Sequence, residues 1–164
     1  MSDNILRYKK WILQPNRLET ENLYKEVSLS GTEICVCGQC KEFLTIKNHL
    51  YPTEIKDLFT KLGIDINKEY ELCDYGDKET GHVYSWWFHF VGKIIDGDDC
   101  SVALQAGGYT MDLLLINEFF QIGFTQKISK SFFEGRNDLI QVELWAEIPW
   151  DTSGLSKLNT SYEK

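Results

Sequence analysis

Three cysteines lie close together in the chain, in the segment CVCGQC at positions 35–40. Thiolates at the amino end of a helix are stabilised by free backbone N–H groups, and a C-x-C-x-x-C spacing can direct three sulfurs at one tetrahedral ion. Grouped cysteines in a chain with an odd total of five do not indicate a framework of structural disulfides. The segment therefore predicts a metal site, with zinc as the ion, or a group of redox-active thiols.

A tetrahedral zinc site needs a fourth ligand besides these three thiolates. The candidates elsewhere in the chain are His49, Cys73, His82, His89 and Cys100. His89 is preferred, because it lies on the less aromatic face of a predicted central strand that a helix carrying the cysteines would cover. The predicted structural zinc site therefore consists of Cys35, Cys37, Cys40 and His89. Without metal, the same cysteines would be buried thiols that pack as small hydrophobic side chains.

Part of the segment, CGQC at 37–40, resembles the C-G-x-C motif of thioredoxin-like oxidoreductases, in which a helix amino terminus lowers the pKa of the first thiol. That fold requires a βαβ unit before the motif and a cis-proline opposite it. The chain has prolines only at 15, 52 and 149, and its downstream part is predicted to be a meander of strands. The motif therefore lacks the context that a thioredoxin-like function requires.

Two helices are predicted in the first half of the chain. The clearer one spans 54–62, because four apolar residues recur at the i, i+3, i+4 and i+7 positions of one face and Gly63 follows as a left-handed stop. The second runs from about 39 to 49, after a strand predicted to end near Ile34. The cysteines are thus predicted to lie between a strand and the amino end of a helix.

Beyond residue 70 the apolar period changes to two, which is typical of strands. Residues 140–148 alternate apolar and polar side chains, whereas residues 83–95 carry apolar side chains on both faces and so form a central strand. Further strands are predicted at 100–105, 109–116 and 119–125. These elements predict an α+β fold, an antiparallel meander of about five strands with two helices from the N-terminal half packed on it.

Residues 1–150 are predicted to form one domain, and the polar residues 151–164 a flexible tail. The first ten residues lack the apolar core of a secretory signal, and no stretch approaches the roughly 18 to 20 apolar residues of a membrane-spanning helix. The predicted location is therefore the cytoplasm. The chain has 17 Lys and Arg against 25 Asp and Glu, a net charge of −8. This charge disfavours nucleic acid and membrane surfaces as partners.

Trp145 lies on the polar face of the last predicted strand, between Glu143 and Glu147. Exposed aromatic side chains surrounded by acids are typical of protein-binding faces, so these three residues are predicted to contact another protein. Alternatively, Trp145 packs under a helix or the tail. A small acidic domain rich in tryptophan resembles, in general character, the immunity proteins that neutralise bacterial toxins. That resemblance implies a basic toxin as the partner, and the oligomeric state stays open.

Four segments together resemble a family of uncharacterised bacterial proteins: CVCGQC at 35–40, LGID at 62–65, WFHFVG at 87–92 and IPW at 148–150. In that family a C-x-C-x-x-C segment, an LGID helix end, a WYHFVG strand and a terminal PW occur in the same order. The resemblance implies no established activity, but it implies that the cysteines and the strand of His89 belong to one site. Phe88 stands where the family has a tyrosine, which removes a hydroxyl.

These residues lead to two hypotheses about function. The first is a non-enzymatic, cytoplasmic protein-binding domain of the immunity or accessory type, which is compatible with a structural zinc site. The alternative is a metal-dependent or thiol-based enzyme centred on the cysteine segment at 35–40. The first hypothesis is preferred, because the chain contains no further motif for catalysis.

Overall fold

The computed structural model of the protein describes residues 4–128 and 130–150. Within these ranges the chain forms four α-helices and nine β-strands. The helices are α1 (Arg17–Lys25), α2 (Gly31–Ile34), α3 (Gly38–Ile46) and α4 (Thr53–Leu62). The strands are β1 (Leu6–Tyr8), β2 (Trp11–Pro15), β3 (Glu71–Asp77), β4 (Gly81–Asp96), β5 (Ser101–Ala103), β6 (Tyr109–Met111), β7 (Leu114–Leu115), β8 (Phe120–Thr125) and β9 (Leu139–Pro149). A 3-10 turn over Lys47–His49 continues α3.

The strand β4 is the centre of a seven-stranded antiparallel sheet. On one side it pairs with β9 over residues 81–91, and β9 is followed by β8 and β7. On the other side β3 pairs with residues 82–87 of β4, and β2 pairs with residues 92–96, with β1 outside it. The α+β architecture predicted from the sequence is therefore confirmed, with more strands than expected.

The order of strands in the sheet differs from their order in the chain. The last strand, β9, lies between β4 and β8, because its apolar face and that of β4 are both buried. The strands predicted at 100–105 and 109–116 shrink to β5, β6 and β7, and the first two form a separate two-stranded ribbon. Most residues of β5 and β6 are exposed, so neither strand has an apolar face that would hold it in the sheet.

Side chains of α1 form hydrogen bonds with the backbone of β4 in the stretch between the part that pairs with β3 and the part that pairs with β2. The Tyr24 hydroxyl accepts a hydrogen bond from the His89 N–H at 3.1 Å and donates one to the His89 carbonyl oxygen at 2.9 Å. The hydroxyl of Thr20 accepts from the Val91 N–H at 3.0 Å. Buried backbone groups need such partners. The helix α1, which the sequence did not predict, therefore replaces a strand where the ladder is interrupted.

The helices α3 and α4 cover one face of the sheet and form the main core with it. The four apolar residues of α4 are buried as predicted, and the helix ends at Gly63 with a φ of 79°. The Phe43 ring of α3 packs edge-on against Trp86, with ring centres 5.1 Å apart. The Phe59 ring of α4 packs in the same way against Phe88 at 4.8 Å. Even-numbered residues of β4 therefore point toward the helices.

The other face of the sheet is approached by the β5–β6 ribbon and by the segment after β8. A Cβ atom at Gly123 of β8 would lie 2.7 Å from the Cβ of Cys100 and 2.7 Å from Cδ2 of Leu113. A side chain at this position would push the ribbon away from the sheet. The glycine therefore allows the ribbon to cross the sheet closely and to enclose a cavity beside it.

We predict that Tyr24→Phe destabilises the fold, because it leaves the buried N–H and C=O of His89 without a partner. The cost of such a loss is about 1–3 kcal/mol. Urea denaturation measures the free energy of unfolding, and the control Tyr75→Phe, at a side chain that is 64% exposed, should change it by less than about 0.5 kcal/mol. Equal stability of Tyr24→Phe and the wild type would contradict the role assigned to α1.

Candidate functional site

The three cysteines of segment 35–40 come together where α2 meets α3. Cys35 directly follows α2, and Cys37 caps the amino end of α3, where its sulfur accepts a hydrogen bond from the Cys40 N–H at 3.4 Å. The three sulfur atoms all lie within 4.8 Å of one another. Sulfurs bound at about 2.3 Å to one tetrahedral ion are about 3.8 Å apart. The group can therefore hold a metal ion after a small adjustment.

A capping box positions the first cysteine. The Ser30 hydroxyl accepts a hydrogen bond from the Glu33 N–H at 3.2 Å, and the Glu33 carboxylate accepts one from the Ser30 N–H at 2.6 Å. This reciprocal pair begins α2. The strand predicted to end near Ile34 is therefore wrong, because the segment forms a helical turn. The strand-then-helix setting of a thioredoxin-like motif is absent as well.

A buried ion pair fixes α2 and α3 relative to each other. The Nζ atom of Lys47, just after α3, lies 3.2 Å from Oε2 of Glu69, and both side chains are buried. The hydroxyl of Thr32 in α2 also donates a hydrogen bond to Glu69. Buried charges are stable only with partners of this kind. The three side chains therefore hold together the two helices on either side of the cysteines.

The three thiols differ in their surroundings. Cys35 and Cys37 are exposed, whereas Cys40 is buried. The backbone N–H of Cys40, followed by the thiols of Cys35 and Cys40, lowers the pKa of the Cys37 thiol. Burial raises the pKa of the Cys40 thiol. The cluster therefore presents an exposed sulfur at a helix amino terminus, within reach of a thiophilic ion from solution.

His89 does not join the cysteines. It is fully buried on the face of β4 opposite to Trp86 and Phe88, which pack against the helices. Its Nε2 atom donates a hydrogen bond to Oε1 of Gln141 at 3.2 Å. Burial lowers the pKa of His89 to about 4, so the ring is neutral at neutral pH. The predicted grouping of His89 with the cysteines is corrected, because adjacent strand residues point to opposite faces.

The other candidate ligands also lie elsewhere. Cys73 is in β3, Cys100 precedes β5, His49 closes the 3-10 turn and both ring nitrogens of His82 bond to Asp74 and Asp77. In the described part of the chain, the group that could hold a metal ion contains three cysteines and no further His, Cys, Asp or Glu. Sites with three protein ligands keep a position open for an external ligand, whereas structural zinc sites are closed. The geometry is that of an open three-sulfur site.

Trp145 and Glu143 line a cavity on the face of the sheet opposite to the helices. Its volume is about 820 Å³, and its walls come from β3, β4, β8, β9, the β5–β6 ribbon and the segment after β8. The rings of Tyr75, Trp87 and Tyr109 contribute to these walls. The Nζ atom of Lys78 lies 5.1 Å from the centre of the Trp145 ring. Trp145 is therefore half-buried and lines a cavity that is partly open to solvent.

Glu143 is the buried acid of this cavity, with 6% of its surface exposed. The side-chain amide of Gln141 donates a hydrogen bond to Glu143 and accepts one from His89, so the three residues form a polar chain. Burial raises the pKa of Glu143 to about 7. Glu147 is half-buried and accepts a hydrogen bond from Thr80. The two acids that flank Trp145 therefore differ in burial, since Glu143 is buried and Glu147 is half-buried. Contact of these three residues with another protein stays a prediction.

The cavity and the roles of Trp87 and Gln141 are not evident from the sequence. Positions 141 and 143 alternate with apolar residues, as the solvent side of a half-buried strand would. The one feature of the sequence that points to this cavity is Gly123, because a glycine inside a strand often marks the close approach of another segment. In the register of β8 and β9, Gly123 lies directly opposite Glu143.

Comparisons of the chain with protein-family models, with curated proteins and with solved structures find no match. The resemblance to a bacterial family therefore stays a prediction. Among the residues that the structure describes, no helix combines the length and the apolar character that crossing a bilayer requires.

We predict that Glu69→Gln strongly destabilises the protein, because it leaves the charge of Lys47 buried without its counterion. Breaking a buried pair in this way costs about 3–5 kcal/mol. The matched control is Glu21→Gln, which removes a carboxylate from the more exposed pair with Arg17 and should cost less than about 1 kcal/mol. Thermal or urea unfolding measures both, and a similar loss for the two variants would contradict the proposed importance of the buried pair.

We predict that Glu143→Gln changes how stability depends on pH. The folded protein keeps the Glu143 proton up to a pKa of about 7, above the ordinary glutamate pKa of 4.5, so the wild type loses stability as pH rises through this window. Gln has no such proton to lose. The stability of the variant relative to the wild type should therefore rise by about 1–3 kcal/mol between about pH 5 and about pH 8.

Urea denaturation at both pH values measures this difference. The buried His89 acts in the opposite direction, because its lowered pKa makes both proteins lose stability as pH falls from 6.5 to about 4. His89 is present in both proteins, so its effect cancels in the comparison. The charge of Glu143 contributes to the raised pKa values of the Cys73 and Cys100 thiols, and the comparison therefore stops at about pH 8, below the ordinary thiol pKa of 9.0. A constant difference between variant and wild type at the two pH values would show that Glu143 does not titrate abnormally.

Proposed function

We propose that the protein binds zinc through Cys35, Cys37 and Cys40 and uses the open fourth position to bind another protein. The observation that carries this proposal is the convergence of three sulfurs without a fourth ligand from the described part of the chain. Zinc takes thiolate ligands in a tetrahedral arrangement, and a closed site has four donors. A histidine or cysteine of the partner protein would complete the set and would join the two proteins through the ion.

Apolar side chains beside the cysteines support a protein partner. Ile34 is 61% exposed and Val36 is 80% exposed, and these two residues flank Cys35. A partner whose ligand reaches the ion would also cover these side chains. The net charge of −8 favours a basic partner, which is the charge expected of a toxin that an immunity protein neutralises.

Binding is better supported than catalysis at this site. A hydrolytic zinc centre uses a nearby acid or base to move the proton of the metal-bound water. In the described residues, no histidine or carboxylate joins the three sulfurs. All five cysteines are free thiols, so the proposal includes a reducing compartment, the cytoplasm.

We predict that elemental analysis of the protein, purified under reducing conditions and loaded with zinc, finds about one zinc per chain. Serine at any position of the cluster, Cys35, Cys37 or Cys40, should remove most of this zinc. The matched control is Cys73→Ser, a half-buried thiol in β3 outside the group, which should retain it. A wild type without zinc, or three cluster variants that all keep it, would contradict the proposal.

Cobalt(II) substitution tests the open position separately. Cobalt in a thiolate site absorbs visible light, and its bands depend on the number and type of ligands. Imidazole added to the cobalt-loaded wild type should shift these bands, because it can enter the fourth position as a partner's histidine would. An unchanged spectrum at saturating imidazole would mean that the chain supplies its own fourth ligand, and this would remove the argument for a partner at the ion.

A further inference from the structure

The cavity on the far face of the sheet takes no part in the proposed zinc site, and two polar groups on its wall need an explanation. The indole N–H of Trp87 is buried and has no hydrogen-bond partner among the described residues. Glu143 accepts a hydrogen bond from the side-chain amide of Gln141, and its carboxyl group can take further partners. Buried polar groups in proteins nearly always have partners. A bound ligand would supply those that the chain does not.

The indole N–H and the carboxyl group lie on neighbouring side chains. Trp87 and Glu143 are directly opposite each other in the register of β4 and β9. The Trp87 carbonyl accepts its hydrogen bond from the Tyr70 N–H at 2.9 Å, on the edge of β4 away from β9. The pair with Glu143 is therefore of the closer, non-hydrogen-bonded kind, with Cα atoms about 4.5 Å apart. The two residues that carry the indole N–H and the carboxyl group are therefore direct neighbours across the two strands.

The rest of the cavity suits a flat ring. Its volume of about 820 Å³ lies in the range of about 300–1,000 Å³ that is usual for small-molecule sites. The rings of Tyr75, Tyr109 and Trp145 offer faces or edges against which an aromatic ligand can pack. At the Tyr109 side, Nζ of Lys127 already lies 3.7 Å from the ring centre. The site combines aromatic walls with a few polar groups, as ligand sites do.

We propose that this cavity binds a planar nitrogen heterocycle that carries an N–H donor beside a carbonyl acceptor, as a cyclic amide does. The N–H of the ligand donates to Glu143, and its carbonyl oxygen accepts from the indole of Trp87. The ring lies against the aromatic walls near Trp145. This function is additional to metal binding, because the two sites lie on opposite faces of the sheet.

Other classes of ligand form a favourable hydrogen bond with at most one of the two wall groups. An aliphatic chain offers neither a donor nor an acceptor. A carboxylate or phosphate can accept from Trp87, but its negative charge opposes that of Glu143 once this acid ionises above its pKa of about 7. A simple amine donates to Glu143 and offers nothing to the Trp87 N–H. Leaving a buried donor or acceptor unpaired is costly, so the cavity discriminates in favour of a ligand that has both groups side by side.

Isothermal titration calorimetry of the full chain with carbostyril, a fused aromatic cyclic amide, tests the proposal. The matched compound is N-methylcarbostyril, which keeps the ring and the carbonyl but lacks the N–H donor. We expect carbostyril to bind about tenfold more tightly, because the methylated compound cannot donate to Glu143 and places a methyl group beside it. Equal affinities for the two compounds, or no binding of carbostyril to the folded wild type, would overturn the assignment.

Two variants locate the binding. Trp87→Phe keeps an aromatic ring but removes the indole N–H, and it should weaken carbostyril binding about tenfold. Cys37→Ser, in the cluster on the opposite face, should leave the affinity unchanged, which separates this test from that of the zinc site. Unchanged binding by a folded Trp87→Phe protein would overturn the assignment. If Trp87→Phe does not fold, the two compounds compared on the wild type decide the question.

Discussion

Residues 83–91 of β4 are buried on both faces of the strand, and this constraint determines where the candidate functional side chains lie. Trp86 and Phe88 pack against α3 and α4, whereas Trp87 and His89 point to the opposite side. Successive residues of a strand must alternate in this way. A shift of one position along β4 therefore moves a side chain from the helix-covered core to the cavity. The sheet separates the cysteine cluster from the polar chain that ends at Glu143.

Buried polar contacts hold the framework around this strand. The Tyr24 hydroxyl satisfies the backbone of His89 on the edge of β4 that faces away from β9, where no strand pairs with it, and the pair of Lys47 with Glu69 joins the helices that flank the cysteines. Each contact needs a precise geometry, because a polar group left unpaired in the interior destabilises the fold by far more than the paired contact stabilises it. The exposed turn that carries Cys37 is thus anchored at both ends, while its sulfur stays accessible. Rigid support and exposed ligands together are what a metal-mediated contact requires.

The parts of the fold with a strong apolar period were predictable from the sequence. The helix α4 and the strands β4 and β9 each bury a regular set of side chains, and the α+β class follows from their order. The strands β1 and β2 and the helix α1 were not predicted, because they are short and are stabilised by contacts with β4. The helix α2 was missed although its signal, Ser30 followed by Glu33, is readable as a capping box.

The candidate functional residues also fall into those that the sequence predicts and those that it does not. The cysteine cluster was predictable, because its three members are neighbours in the chain and a helix amino terminus brings them together. The grouping of His89 with them failed, because the aromatic face of β4, not the opposite one, packs against the helices. The burial of Glu143 could not be read from β9 alone, since it depends on a ribbon that crosses the sheet at Gly123. Local chemistry was therefore predictable, and the pairing of distant residues was not.

X-ray absorption spectroscopy at the zinc edge of the zinc-loaded protein tests the central claim most directly, because it counts the ligands and measures their distances. An open three-sulfur site predicts three sulfurs at about 2.3 Å and one oxygen or nitrogen at about 2.0–2.1 Å from the ion. Four sulfurs would show that a further cysteine closes the site. A shell dominated by oxygen and nitrogen would contradict a metal centre built on Cys35, Cys37 and Cys40.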